Sequence, residues 1–299
     1  MAVLFGLLGA FSWAGADFLA RHVSRLIGPV RTFILAQCVG LAALTVYLAI
    51  AREPHWSLAL AFAGAGRPAD EWALVAALLN ILGSMSLYRS FAIGKMALVT
   101  PIAASYSGLT VILALASGER LRTNSAAGIP IILAGIMLAV IPVASTVVTA
   151  DESTGRSRVH GDHAGVGWAL GAALCFGVGF WILGFHVTPT LGAVVPIWII
   201  RLAGATLIFG LVARRRMEPV LPPGNIAQPL AASALLDTTG FVATTLGLAT
   251  GHVSVVTVLT SLFGVMIILM SWVLLRERLH WRQWCGVVLI FAGVALVSA

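Results

Sequence analysis

The chain has 299 residues, of which 60 % are hydrophobic and 10 % charged. A soluble domain carries roughly 25 % charged residues, so there is too little charge to coat a globule of this length, and a soluble fold is excluded. The formal net charge of +7 comes from basic residues scattered between apolar runs. They form no basic stripe and no binding motif, which excludes nucleic acid as a partner.

Ten apolar runs follow one another, at 2–20, 30–50, 72–92, 96–117, 127–146, 165–186, 190–212, 229–249, 253–275 and 282–298. Crossing ~30 Å of hydrocarbon takes about 20 helical residues, so these runs predict ten membrane spans, most of them bounded by Gly, Pro or charge. No Lys or Arg precedes run 2–20, so despite the small triplet Ala14-Gly15-Ala16 it reads as a retained span rather than a cleaved signal. Two connections are long: 51–71, whose apolar stretch Trp56–Ala63 is too short to cross and is expected at the interface, and 147–164, the most polar stretch of the chain.

The second half repeats the first. Glu119-Arg120-Leu121, Gly128 and Gly135 reappear 158 positions later as Glu277-Arg278-Leu279, Gly286 and Gly293. Asn80 and Gly83 of span three match Asp237 and Gly240 of span eight. Gln37 and Gly40 of span two match Arg201 and Gly204 of span seven, and Trp13 and Phe18 of span one match Phe176 and Trp181 of span six. The expected architecture is therefore all-α and polytopic: a first five-helix repeat at 1–146, a linker at 147–164 and a second repeat at 165–299. An odd number of spans per repeat forces the copies to insert in opposite senses, and such inverted repeats place a site near the midplane. Ten spans can enclose that cavity within one chain, as a monomer or within a homodimer.

Thirteen of the eighteen Lys and Arg residues fall after odd-numbered spans, four after even-numbered ones, and Arg201 lies inside a span. Basic loops stay in the cytoplasm, so both termini are expected outside the cytoplasmic membrane.

Arg201 and Asp237 sit near the middle of spans seven and eight. A charge at that depth costs about 2.5–3.5 kcal/mol on insertion scales, so it faces a cavity or a partner. Either the two neutralise each other, or they line a substrate path in which Asp237 carries a coupling proton and Arg201 holds an anionic group. Asp17, one turn after Trp13, falls near the end of span one. It is expected close to the cytoplasmic surface, as the second coupling candidate behind Asp237. Asn80, Ser84 and Tyr88 recur every four residues and share a face. With Gln37, Arg201, Asp237 and Thr245 they form the expected cavity set, and interhelical hydrogen bonding is the alternative use of the same polar stripe. Small-residue seams on spans four and nine (Thr100 and Ser107; Thr257 and Ser261) and the glycines of five and ten (Gly128, Gly135, Gly286, Gly293) are expected to pack helices. Gly167 and Gly171 form a weaker packing signal of the same kind. Pro101, which Val258 replaces in the second copy, is expected to kink span four alone. Glu119 and Glu277 are expected at helix ends as capping or ion-pairing groups. Cys38, Cys175 and Cys285 read as small core residues. No spacing of ligands predicts a metal or a cofactor.

Together the Gly118–Leu121 element with its second copy Arg276–Leu279, the glycines that follow each, the Ala92/Gly94 and Ala249/Gly251 exits, and the opening Ser12-Trp13-Ala14-Gly15-Ala16-Asp17-Phe18 resemble the drug/metabolite transporter superfamily, in its EamA-like branch. The likeness spans essentially the whole chain. It implies a secondary carrier that moves a small metabolite or drug by alternating access, driven by protons or by exchange. Gln37 stands where that resemblance would place the first-half partner of Arg201, so a symmetric charged pair is not expected. The rival classes are an intramembrane hydrolase, built on Ser105-Tyr106-Ser107-Gly108 with His252 as base, and a scramblase or scaffold. No His lies mid-span, and hydrolysis does not need a duplicated bundle.

Overall fold

The computed structural model describes residues 1–51, 68–94, 96–140, 165–215, 224–275 and 281–298. Among them every regular element is helical, and they fall into ten spans. Spans one to three are α1 (Ala2–Ile27), α2 (Pro29–Ala51) and α3 (Pro68–Ile93). Span four is broken into α4 (Met96–Ala104) and α5 (Tyr106–Ala116), and span five is α6 (Thr123–Val140). Span six, α7 (Val166–Ile182), runs through a π-helical turn (Leu183–Val187) into the short α8 (Thr188–Leu191). Spans seven and eight are α9 (Val195–Arg215) and α10 (Gly224–Leu248). Span nine is broken into α11 (Val253–Thr260) and α12 (Phe263–Leu275), and span ten is α13 (Trp281–Ser298). Four helices (Ala2–Ile27, Pro29–Ala51, Glu71–Ile93 and Val166–Leu191) are by themselves long and apolar enough to cross a membrane. The connection at 52–67, the linker at 147–164 and the copy Glu277-Arg278-Leu279 lie outside the described residues.

Helix partners exchange between the halves. α1 packs along α10 and α3 along α7, which are the same contact under the repeat; α2 crosses α9, and α6 packs along α13. Glycines set how closely these helices approach. A Cβ on Gly128 would lie 2.8 Å from the Gly293 carbonyl oxygen, and one on Gly135 would lie 2.9 Å from that of Gly286. The numbering rises on one helix as it falls on the other, so α6 and α13 run antiparallel with backbone against backbone. Gly167 behaves differently: a Cβ there would meet nothing within 4 Å, and one on Gly171 only the Ser86 hydroxyl at 3.7 Å. That GxxxG is not a packing motif.

The break in span four has a twin. Ser105 N–H donates to the Ile102 carbonyl at 3.3 Å, and Leu262 N–H to the Leu259 carbonyl at 3.2 Å. Both are tight i→i−3 turns, and they coincide under the repeat. The expectation that Pro101 bends span four alone is therefore wrong. Span nine has no proline there, but its Thr257, Thr260 and Ser261 hydroxyls donate to carbonyls three or four residues back. Ser105 does the same to Ile102. Such back-bonding competes with the helical ladder and bends it.

Glu119 links the halves at a helix end. α5 closes at Gly118, whose φ of +92° favours glycine. The Glu119 carboxylate that follows accepts from the backbone N–H (3.1 Å) and hydroxyl (2.6 Å) of Ser254, in the first turn of α11. A negative group there satisfies an orphan donor and opposes the helix dipole. Two cysteines differ from expectation: Cys38 and Cys285 are exposed on the outer face of the bundle, and only Cys175 is half-buried.

Because the clash at Gly135 is with backbone that cannot rotate away, Gly135→Ala should destabilise the purified protein by about 1–3 kcal/mol. Gly167→Ala should leave it unchanged or more stable. Thermal unfolding of the two variants in detergent compares them directly.

Candidate functional site

Four helices each present a pair of side chains four residues apart, one helical turn on a single face: Trp13 and Asp17 on α1, Ser84 and Tyr88 on α3, Phe176 and Phe180 on α7, and Asp237 and Phe241 on α10. All eight line one cavity. Tyr106 and Phe263, each the first residue of the helix after a break, complete its aromatic wall. The rings pack on one another. Trp13 lies 5.5 Å from Phe180 and meets Phe241 edge-on at 5.1 Å, and Tyr106 lies 5.3 Å from Phe180. Two glycines make room for the bulk. A Cβ on Gly240 would lie 2.4 Å from the Trp13 ring, and one on Gly83 2.9 Å from the Phe176 ring. Trp13 and Phe176 correspond under the repeat, as do Gly240 and Gly83, so each half inserts a ring into the other half's notch.

Behind the cavity runs a buried polar chain. Arg201 is 3 % exposed. It donates through one terminal nitrogen to Gln37 Oε1 at 2.6 Å and through the other to Asp237 Oδ2 at 2.5 Å. Its guanidinium lies over the Phe241 ring, 5.2 Å from the centroid. Here too the halves interlock. A Cβ on Gly40 would lie 3.1 Å from Arg201 Nε, and one on Gly204 2.7 Å from Gln37 Nε2. The Arg201–Asp237 pair thus joins two helices, while Asp237, its side chain 20 % exposed, still lines the cavity. Arg201 and Gln37 are not in the cavity wall.

Asp17 is placed differently from expectation. α1 continues ten residues past it to Ile27, or about 15 Å at 1.5 Å per residue, and it takes in Arg21 and Arg25. Asp17 is therefore a buried mid-span carboxylate facing the same cavity as Asp237. Asn80 lines a smaller neighbouring cavity that shares Phe176, Phe180 and Phe241 with the first. Its Oδ1, like Gln37 Nε2, has no hydrogen-bond partner among the described residues. Thr245 is fully buried and its hydroxyl donates to the Phe241 and Val242 carbonyls of its own helix, away from the cavity lining. Thr100, Ser107, Thr257 and Ser261 are buried, and a Cβ on Gly264 would lie 3.3 Å from Thr100, so the two seams face each other. Among the described residues no cluster of His, Cys, Asp or Glu could hold a metal. The aromatic wall was the part that sequence reasoning missed. Its signal was the i, i+4 spacing of Trp13 with Asp17 and of Phe176 with Phe180, which an apolar helix hides.

A family model of the EamA-like transporter family matches residues 1–141 and 163–299. The chain belongs to the EamA-like transporter family. Members of this family are multi-pass membrane transporters of small molecules, so the cavity lies in a protein of that kind. A solved structure described as "Crystal structure of protein" superposes with a TM-score of 0.72, covering 99 % of this chain and 96 % of that one at 20 % identity; the likeness is one of fold. No curated protein matches the chain.

Removing Arg201 alone leaves Asp237 buried without its counter-charge. Arg201→Met should destabilise by about 3–5 kcal/mol, and Arg201→Met with Asp237→Leu should recover most of that loss. A double-mutant cycle on unfolding midpoints measures the recovery.

Proposed function

We propose that the protein is a secondary active carrier that moves a small metabolite or drug across the cytoplasmic membrane by alternating access, coupled to protons or to exchange. The observation that carries this reading is the cavity itself. It is walled by spans from both halves, lies at mid-helix depth, and holds two carboxylates, Asp17 and Asp237, among aromatic rings. A carboxylate deep in an apolar bundle is expensive to keep and marks an ion or substrate path. These two are the coupling candidates, with Ser84 and Tyr88 as polar contacts to substrate and Arg201 and Gln37 as the frame that holds Asp237.

The halves are read as inverted repeats. The antiparallel run of α6 against α13 and the exchanged partners α1–α10 and α3–α7 support that reading, as does the odd number of spans in each half. The seams of spans four and nine, with their paired breaks, are the interfaces read as rearranging between the two access states.

Proteoliposomes loaded with a candidate solute should exchange it for labelled solute outside, without added energy. Asp17→Asn and Asp237→Asn should each reduce proton-gradient-driven uptake at least roughly tenfold, the range of a lost charge-assisted interaction. Uptake unchanged in both variants would remove the coupling role, and absence of exchange across a broad solute panel would remove the carrier reading.

A further inference from the structure

The cavity's chemistry selects among small molecules. Among the described residues its wall carries no Lys or Arg and two carboxylates. Arg201 already bonds Asp237 and Gln37 and sits behind the wall. One guanidinium against two carboxylates leaves a formal charge of −1, and Asp237's share is matched by Arg201. The carboxyl with no counter-ion among the described residues is that of Asp17, one turn from Trp13 and 9 % exposed. Around it the surface is aromatic: Trp13, Tyr88, Tyr106, Phe180, Phe241 and Phe263 all reach the cavity. Ring faces carry negative electrostatic potential and hold cations, ammonium groups above all. The wall already does this once, since the Arg201 guanidinium lies over Phe241. An anion would meet two carboxylates and ring faces that repel it. A neutral apolar solute would give an ionised Asp17 no counter-charge, and a buried carboxylate left without one takes up a proton instead.

The geometry points to an organic cation as the substrate class: a substituted ammonium whose charge rests against Asp17 while its apolar part packs on the aromatic wall. This rests on the carrier reading for its transport role. The division of labour between the carboxylates is its own content. Asp17 is the charge that binds substrate, and Asp237 is held in place by Arg201.

The test is binding to the purified full-length protein in detergent, followed by calorimetry or tryptophan fluorescence. Three ring-matched probes at neutral pH serve it: phenethylammonium, 2-phenylethanol and phenylacetate, with phenyltrimethylammonium as a quaternary cation. The two cations are expected to bind, and the neutral and anionic probes to bind roughly tenfold more weakly or not at all. Asp17→Asn should weaken the cations by about tenfold or more and remove the preference over 2-phenylethanol, with Asp17→Glu retaining part of it. Phe263→Leu should weaken them about threefold or more. Thermal unfolding of each variant separates lost binding from lost fold, and the isosteric Asp17→Asn, which replaces a buried carboxyl by a neutral amide, should stay folded. Tighter binding of phenylacetate or 2-phenylethanol, failure of both cations to bind, or cation binding untouched in a folded Asp17→Asn would each overturn the inference. Counterflow of an anionic or neutral metabolite in proteoliposomes would overturn it while leaving the carrier reading intact. Cation binding without any counterflow would leave the site standing and remove the carrier.

Discussion

A guanidinium that cannot be discharged lies inside a bundle whose surroundings offer no water to solvate it. Everything near the centre of the protein is arranged around that constraint. Arg201 must have an anion, and Asp237 supplies it; it needs a second acceptor, and Gln37 supplies that from α2. The arrangement ties α2, α9 and α10 at one point, and it fixes one carboxylate at the edge of the cavity with the rest of that helical face, Phe241 included, oriented toward the aromatic wall. The pair is weak evidence for stability. Its use is positional: it specifies where α9 and α10 meet and which way Asp237 points.

Notches left by glycine make that positioning possible. Four side chains insert where a Cβ is missing: Trp13 at Gly240, Phe176 at Gly83, Arg201 near Gly40 and Gln37 at Gly204. These are two reciprocal exchanges between the halves. Lipid tails are as apolar as the side chains they replace, so helices in a bilayer gain little from hydrophobic burial against one another. Close fit has to supply the specificity instead. A duplicated sequence gains twice from each good notch, because the copy presents the same notch to the partner's copy.

Most of the architecture could be read from the sequence. The ten spans follow from run length and charge depletion, and the glycines of α6 and α13 follow from their repeat spacing. The places where the reading failed share a physical cause: each depended on something a single helix does not encode. Asp17 was set near a surface because the apolar run ends at Ala20, yet α1 carries its helical ladder through Arg21 and Arg25 to Ile27, and long basic side chains can extend toward the headgroups from a helix that continues. The break in span nine had no proline to announce it. Ser and Thr back-bonding caused it, and those residues read as packing seam. Gly167 and Gly171 had the motif but no backbone packed against them. The aromatic wall was invisible because Phe and Trp in an apolar run are indistinguishable from lipid-facing residues until partner helices are placed. Gln37, Asn80 and Arg201 were legible as unusual; which of them face a cavity and which brace it was not.

The backbone contact between α6 and α13 has a mechanical meaning. Where two helices touch through side chains, rotamer changes can absorb an ångström or two of relative motion. Where they touch through glycine Cα atoms and carbonyl oxygens there is no such slack, and sliding either helix by a fraction of a turn drives Ile132 or Ile290 into the opposing chain. Spans five and ten therefore behave as one rigid strut. The two interrupted spans are built the other way: their fragments meet at Ser105 and Ser261 through short hydrogen-bonded turns and not through an unbroken ladder.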